Sequence, residues 1–252
     1  MTGGDCAAAY VSRPFCAIMC HADVLHGGTA MDYKELIVQS GIRMSGSGLT
    51  VETWGNISAR DPETGLVYLT PSAMKYDTIT GDDVVVTDID GNIREGTRKP
   101  TIEKELHLEI YRNRPDVNAV IHTHALYSIV YAAQGKDIAP IIDEAAQAFG
   151  GTVKCTDYAL PGTAELAVRC RDALGSSVNA CLLNSHGAVC VGGTMDKAFK
   201  VAAVLEYTAH VRLMIESSGG KPVGISEENV KAMWDFARFS YGQDKDAGRK
   251  QQ

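Results

Sequence analysis

The chain has 252 residues, of which 45% are hydrophobic and 22% charged; this excludes a disordered chain and suits one large α/β domain. A formal net charge of -7 leaves no electrostatic footprint for nucleic acid or an anionic membrane, and no apolar run is long enough to span a bilayer. The seven cysteines lack zinc-ribbon spacing, and Cys155, Cys170, Cys181 and Cys190 read as reduced, buried small hydrophobes, which favours the cytoplasm.

Residues 1–30 are expected to be a poorly ordered extension. Cys6, Cys16 and Cys20 follow no amphipathic period there, and the apolar stretch Phe15–Met19 is too short for a signal peptide. Met31–Met44 reads as a first helix ended by Gly46-Ser47-Gly48. Thr50–Arg60 reads as a strand interrupted by Gly55-Asn56, and Leu66–Thr70 as a second strand stopped by Pro71. Val84-Val85-Val86 lies in a short buried strand, followed by the hairpin turn Asp90-Gly91-Asn92. Pro100 opens a helix with Thr101 as candidate N-cap, and Pro115-Asp116 breaks it.

Asn118–His122 reads as a strand, Ala125–Ala133 as a helix, Ile138–Ile142 as a strand, and Glu144–Phe149 as a short helix closed by Gly150-Gly151. Helix Thr163–Leu174 precedes two strands, Ala180–Leu183 and Ala188–Val191, which flank the corner Ser185-His186-Gly187. Asp196–Ser217 is the longest helix, with Ala198, Val201, Ala202, Leu205 and Thr208 along its apolar stripe. Glu227–Tyr241 is the last helix, and 243–252 is a charged, frayed tail. Helices alternate with strands and hairpins without a linker, so residues 31–242 are expected to form a single α/β domain.

The chemistry concentrates in histidines. His122 and His124, at i and i+2 on a strand end, project from one face and can reach one ion. His186, from another strand end, would complete a three-nitrogen set that leaves a position open on Zn²⁺ or a similar divalent ion. Glu103 and His107 lie four apart on the helix opened by Pro100 and share a face. Taken alone, Glu103 reads as a surface carboxylate compensating the helix dipole, and His107 as a packed, hydrogen-bonded histidine rather than a ligand. The turns Gly55-Asn56 and Thr70-Pro71-Ser72-Ala73 offer backbone donors and hydroxyls of the kind that hold a phosphate, although each alone is an ordinary turn.

The ordered succession Gly55-Asn56-Ile57-Ser58, Leu69-Thr70-Pro71-Ser72, Pro100-Thr101-Ile102-Glu103, Asn118-Ala119-Val120-Ile121-His122-Thr123-His124, Asp157-Tyr158-Ala159-Leu160-Pro161-Gly162-Thr163 and Asn184-Ser185-His186-Gly187 resembles the class II aldolase/adducin family, most nearly its fuculose-phosphate aldolase branch, over about residues 31–242. The resemblance implies one α/β domain with a central, mainly antiparallel mixed sheet flanked by helices. It also implies a homotetramer with active sites at subunit interfaces. His122, His124 and His186 match the family's zinc ligands, and Glu103 its acid/base carboxylate. Gly55, Asn56, Ser72 and Thr101 fall where the substrate phosphate is held, and Tyr241 matches a tyrosine that closes the site.

The implied activity is metal-dependent retro-aldol cleavage of a phosphorylated ketose, such as L-fuculose 1-phosphate, to dihydroxyacetone phosphate and an aldehyde. Zn²⁺, Mn²⁺ or Co²⁺ would serve as Lewis acid. Pentose-phosphate 4-epimerases, methylthioribulose-phosphate aldolases or dehydratases and sugar-acid-phosphate decarboxylases share the scaffold, as do non-enzymatic adducin heads. Three positions depart from the aldolase pattern. Ile102 stands where a second serine binds phosphate, Ala73 where the turn has glycine, and Glu144 where a tyrosine reaches a neighbouring site.

Overall fold

The computed structural model describes residues 31–240; the expected extension 1–30, Tyr241 and the tail 243–252 lie outside the described residues. Asp32 opens helix α1 (Tyr33–Gly46), its carboxylate accepting from the backbone N–H groups of Lys34 and Glu35. Four antiparallel strands follow: β1 (Asn56–Arg60), β2 (Val67–Leu69), β3 (Val85–Thr87) and β4 (Ile93–Glu95). The expected hairpin turn joins the last two, with Asp88 accepting from the N–H groups of Asp90 and Asn92.

Then come α2 (Lys104–Asn113), β5 (Ala119–Thr123), α3 (Leu126–Ala132), α4 (Asp143–Phe149), β6 (Lys154–Cys155) and α5 (Ala164–Leu174). The strands β7 (Ala180–Leu183) and β8 (Gly187–Gly192) precede α6 (Met195–Ser217) and α7 (Glu227–Phe239). The eight strands form one sheet in the order β4-β3-β2-β1-β5-β8-β7-β6, antiparallel except where β6 pairs with β7.

Period-2 alternation decides which helices cover which face. Ile57, Ala59, Ala119, Ile121, Ala188 and Cys190 pack with α1, α3, α4 and α6. Val67, Leu69, Val120, Val189 and Val191 pack with α2 and α5 on the other side. The central strand β5 is therefore covered on both faces and all five of its residues are buried. Cys170, Cys181 and Cys190 are buried free thiols, and Cys155 is half-buried.

Three elements differ from expectation. The strand predicted from Thr50 begins at Asn56, because Gly55 turns the chain at φ 73° and the Thr50 hydroxyl donates to the Trp54 carbonyl, closing a turn. Thr101 does not cap α2. Its backbone N–H donates to the Thr70 carbonyl beside the Pro71–Pro100 bridge, which holds this segment extended, and Glu103 takes the N-cap position. Of Ile138–Ile142, only Ile138 pairs, with Val153; Pro140 lacks the N–H that a continuing ladder needs.

Candidate metal centre

Two glycines let neighbouring chain segments close on β5. A Cβ on Gly55 would collide with the carbonyl oxygen of His122, and one on Gly187 with that of Thr123. Asn56 thereby sits opposite His122 across the β1–β5 pair, and the corner between β7 and β8 brings His186 to the same end of the sheet.

The three predicted ligands converge through their Nε2 atoms. His122 Nε2 lies 3.0 Å from His124 Nε2 and 3.3 Å from His186 Nε2. His122 Nδ1 is 3.0 Å from the Ala188 carbonyl, so it carries the hydrogen and leaves Nε2 as a bare lone pair. Burial, then the neighbouring imidazoles, push His124 down to about 3, and burial and His122 push His186 down to about 4. These rings stay neutral at pH 7.

Edges of about 3.3 Å are what a tetrahedral site with metal–nitrogen bonds near 2.0–2.1 Å requires. The three imidazole nitrogens lie close enough to share one ion, and the set fits a divalent cation.

Glu103 faces the same point. It is 4% exposed, with Oε2 3.2 Å from His122 Nε2 and Oε1 3.7 Å from His186 Nε2. Burial alone would raise its carboxyl; His122, His186, the Asn56 amide and His107 outweigh it and hold the group below the ordinary carboxylate range. Oε1 is buried without a hydrogen bond. At the N-cap rather than in the first turn, Glu103 makes no capping hydrogen bond, so its side chain serves the pocket instead of the helix.

Of the other expected residues, Gly55, Asn56 and Thr101 adjoin the centre, and Tyr241 lies outside the described residues. Thr101 Oγ1 accepts from the Glu103 N–H, and the antiparallel Pro71–Pro100 bridge sets Thr101 opposite Thr70 and Ser72 opposite Lys99, to whose carbonyl the Ser72 N–H donates. Gly55 lies against His122, while the Asn56 amide nitrogen donates to Glu103 Oε2 at 2.8 Å. Ala73 occupies a left-handed conformation at φ 57°, one that glycine adopts more readily than a residue with a Cβ. Ile102 is exposed at the rim, as are Trp54, whose ring lies 5.7 Å from that of His124, and Leu126. Glu144 is exposed in the first turn of α4.

Sequence reasoning passed over Ser58 and Tyr111, which are buried beside His107 and bonded to each other, and Tyr76, whose hydroxyl donates to the Gly55 carbonyl. The available signal was spacing: Glu103, His107 and Tyr111 at i, i+4 and i+8, against Asn56 and Ser58 at i and i+2.

The family model "Class II Aldolase and Adducin N-terminal domain" matches residues 35–213. A 5-deoxy-D-ribulose 1-phosphate aldolase of Bacillus thuringiensis serovar kurstaki is 37% identical over 198 residues, 79% of this chain and 92% of that protein. Among solved structures, an L-fuculose 1-phosphate aldolase superposes with a TM-score of 0.79 at 32% identity, over 84% of this chain and 98% of the other. An L-fuculose-1-phosphate aldolase from Thermus thermophilus gives 0.65 at 25% identity, over 76% and 98%.

Proposed function

This chain belongs to the class II aldolase and adducin family and carries its three-histidine metal group, and on that footing we propose that it is a lyase cleaving a terminally deoxygenated ketose 1-phosphate to dihydroxyacetone phosphate and a short aldehyde. The observation that carries the reading is the meeting of three Nε2 atoms with the buried Glu103 carboxylate. A scaffold without catalysis gains nothing from burying an acid against three imidazoles. The named substrate of the 37% identical relative, 5-deoxy-D-ribulose 1-phosphate, ends in a methyl group. The exposed apolar side chains Trp54, Ile102 and Leu126 around the centre suit such an end better than a hydroxylated one.

His122, His124 and His186 would hold the cation, zinc or another divalent ion such as Mn²⁺ or Co²⁺. Bound there, it supplies Lewis-acid polarisation of the substrate carbonyl. Glu103 Oε1, free of hydrogen bonds, is the group placed to hold the proton at C3. As C3–C4 breaks, its electron pair stays with C3 while the Glu103 carboxylate takes the C4 hydroxyl proton and the aldehyde forms; Glu103 then returns that proton to C3 of the triose phosphate. Gly55, Asn56, Ser72 and Thr101 would seat the phosphate, and Tyr241 would close the site. Active sites at the interfaces of a homotetramer accord with the exposed apolar rim.

The test is an assay for triose phosphate and aldehyde from 5-deoxyribulose 1-phosphate and fuculose 1-phosphate, with epimer and carbon dioxide followed in parallel on pentulose and sugar-acid phosphates. Triose phosphate should form from the deoxyketose substrates, fastest from the 5-deoxypentulose. No triose phosphate from either, or epimer or carbon dioxide as the main product, would overturn the reading.

A further inference from the structure

We propose that His107 is a positioning residue, which fixes the orientation of the Asn56 amide and through it the Glu103 carboxylate; this rests on the aldolase reading for its catalytic consequence only. Five buried side chains form one chain of hydrogen bonds between α2 and β1. Asn56 turns its nitrogen to Glu103 Oε2 and its oxygen to His107 Nε2. An amide oxygen can only accept, so His107 must donate from Nε2. Its Nδ1 is then a bare acceptor, and Ser58 Oγ, 2.6 Å away, is the donor to it. With its hydrogen committed, Ser58 Oγ accepts from the Tyr111 hydroxyl at 2.8 Å. Each direction follows from the one before it, and no member has a spare choice of role.

The geometry explains why this matters for Glu103. Its Oε2 is tied by Asn56, while Oε1 stays without a partner and faces the ligand cluster. Were His107 in its other tautomer, Nε2 would be an acceptor and Asn56 would have to flip, presenting its oxygen to a carboxylate. Two acceptors would then face each other in a pocket where both residues are 6% or less exposed. The accept-only Glu103 carboxylate thus orients the Asn56 amide, the amide oxygen selects the Nε2–H tautomer of His107, and the Ser58 and Tyr111 hydroxyls, each able to donate or accept, satisfy the Nδ1 left over. His107 is fully buried and its hydrogen bonds go to Ser58 and Asn56 rather than to a histidine of the centre, and burial pushes its imidazole down to about 3, so the neutral ring persists throughout the working pH range.

Two substitutions separate positioning from bulk. In His107→Gln, the side-chain nitrogen can replace Nε2 as donor to Asn56; in His107→Asn, the shorter amide reaches the Ser58 side and leaves Asn56 unsupported. The catalytic readout is exchange of the C3 hydrogen of dihydroxyacetone phosphate with D₂O, followed by NMR on the zinc-loaded full chain. We expect His107→Asn to lose about 10–100-fold in exchange rate and kcat, the usual loss for a residue behind the reacting shell, with KM and metal content unchanged. His107→Gln should recover most of that loss. Equal losses in both variants, or a loss that follows metal content, would overturn positioning.

A second readout needs no turnover. Spectra of protein with ¹⁵N-labelled histidine should show His107 as the neutral Nε2–H tautomer from pH 5 to 9, identified by its disappearance in His107→Gln. A neutral Nδ1–H ring, or an imidazolium in that range, would refute the relay even if the enzyme is fully active. Wild-type protein that exchanges no hydrogen would overturn the aldolase reading, and the tautomer would still decide the relay.

Discussion

His124→Ala removes one of three cation donors, whereas Glu103→Gln keeps the shape of the acid and removes its ability to carry a proton. The first should lose bound metal and turnover together. The second should keep metal, measured by elemental analysis, and lose at least about 100-fold in kcat, the scale of general acid–base catalysis. Wild-type turnover in Glu103→Gln would remove that residue from its role. Gly187 permits a different test, because a methyl group there would meet the Thr123 carbonyl. Gly187→Ala should cost about 1–3 kcal/mol by overpacking and shift the His186 corner away from β5, read as a lower denaturant midpoint with weakened metal binding. His107 gives the metal-free protein an acid-sensitive component. Its folded-state value is depressed to about 3, against about 6.5 in an unfolded chain. The unfolded state therefore takes up the extra proton below pH 6.5. The stability from His107 is complete above that value and is lost progressively toward pH 3. His107→Gln should flatten part of that decline in chemical denaturation. The ligand histidines were legible because period 2 and strand-end placement need only local sequence. The Asn56–Ser58–His107–Tyr111 alignment was not, since it exists only once β1 and α2 stack.

At the scale of elements, α3 starts two residues after His124, and its first turn is tethered from a distance. The Glu206 carboxylate of α6 accepts from the backbone N–H groups of Tyr127 and Ser128 and from the Ser128 hydroxyl, all within 2.8 Å. A buried acceptor of three donors at a helix start supplies the cap that Ala125 cannot. Glu206→Ala should cost about 2–4 kcal/mol, since it strands those donors. Hydrogen exchange should rise in α3 before it rises in β8; uniform exchange would contradict a local tether. The misplaced cap at Thr101 and the strand Lys154–Cys155, which the sequence leaves unread, share a cause. Thr101 sits after Pro100 and reads as a cap, but the strand-like bridge to Pro71 claims it, and that pairing partner lies far upstream in the chain. Lys154–Cys155 is too short to produce an alternating pattern and is a strand only because β7 lies beside it.

For the molecule as a whole, sheet order could not be read from the chain. The place of β5 between β1 and β8 depends on two narrow approaches at Gly55 and Gly187, and a glycine in a sequence does not announce which carbonyl it admits. The α/β class was legible from the alternation of helices and strands, and the central, mainly antiparallel sheet flanked by helices from the family resemblance. The proposed tetramer predicts a light-scattering mass four times that of the chain, and a single-chain mass would exclude it. Among the described residues no helix is long and apolar enough to cross a membrane. The middle position of β5 has one more consequence. A cation gripped by its rings and by the β7–β8 corner acts as a rivet through the sheet rather than an ornament on a loop. Stripping it with a chelator should lower the melting temperature of the entire cooperative unit, by an amount that grows with the logarithm of free metal restored. A melt indifferent to chelation would mean that the rivet bears no load.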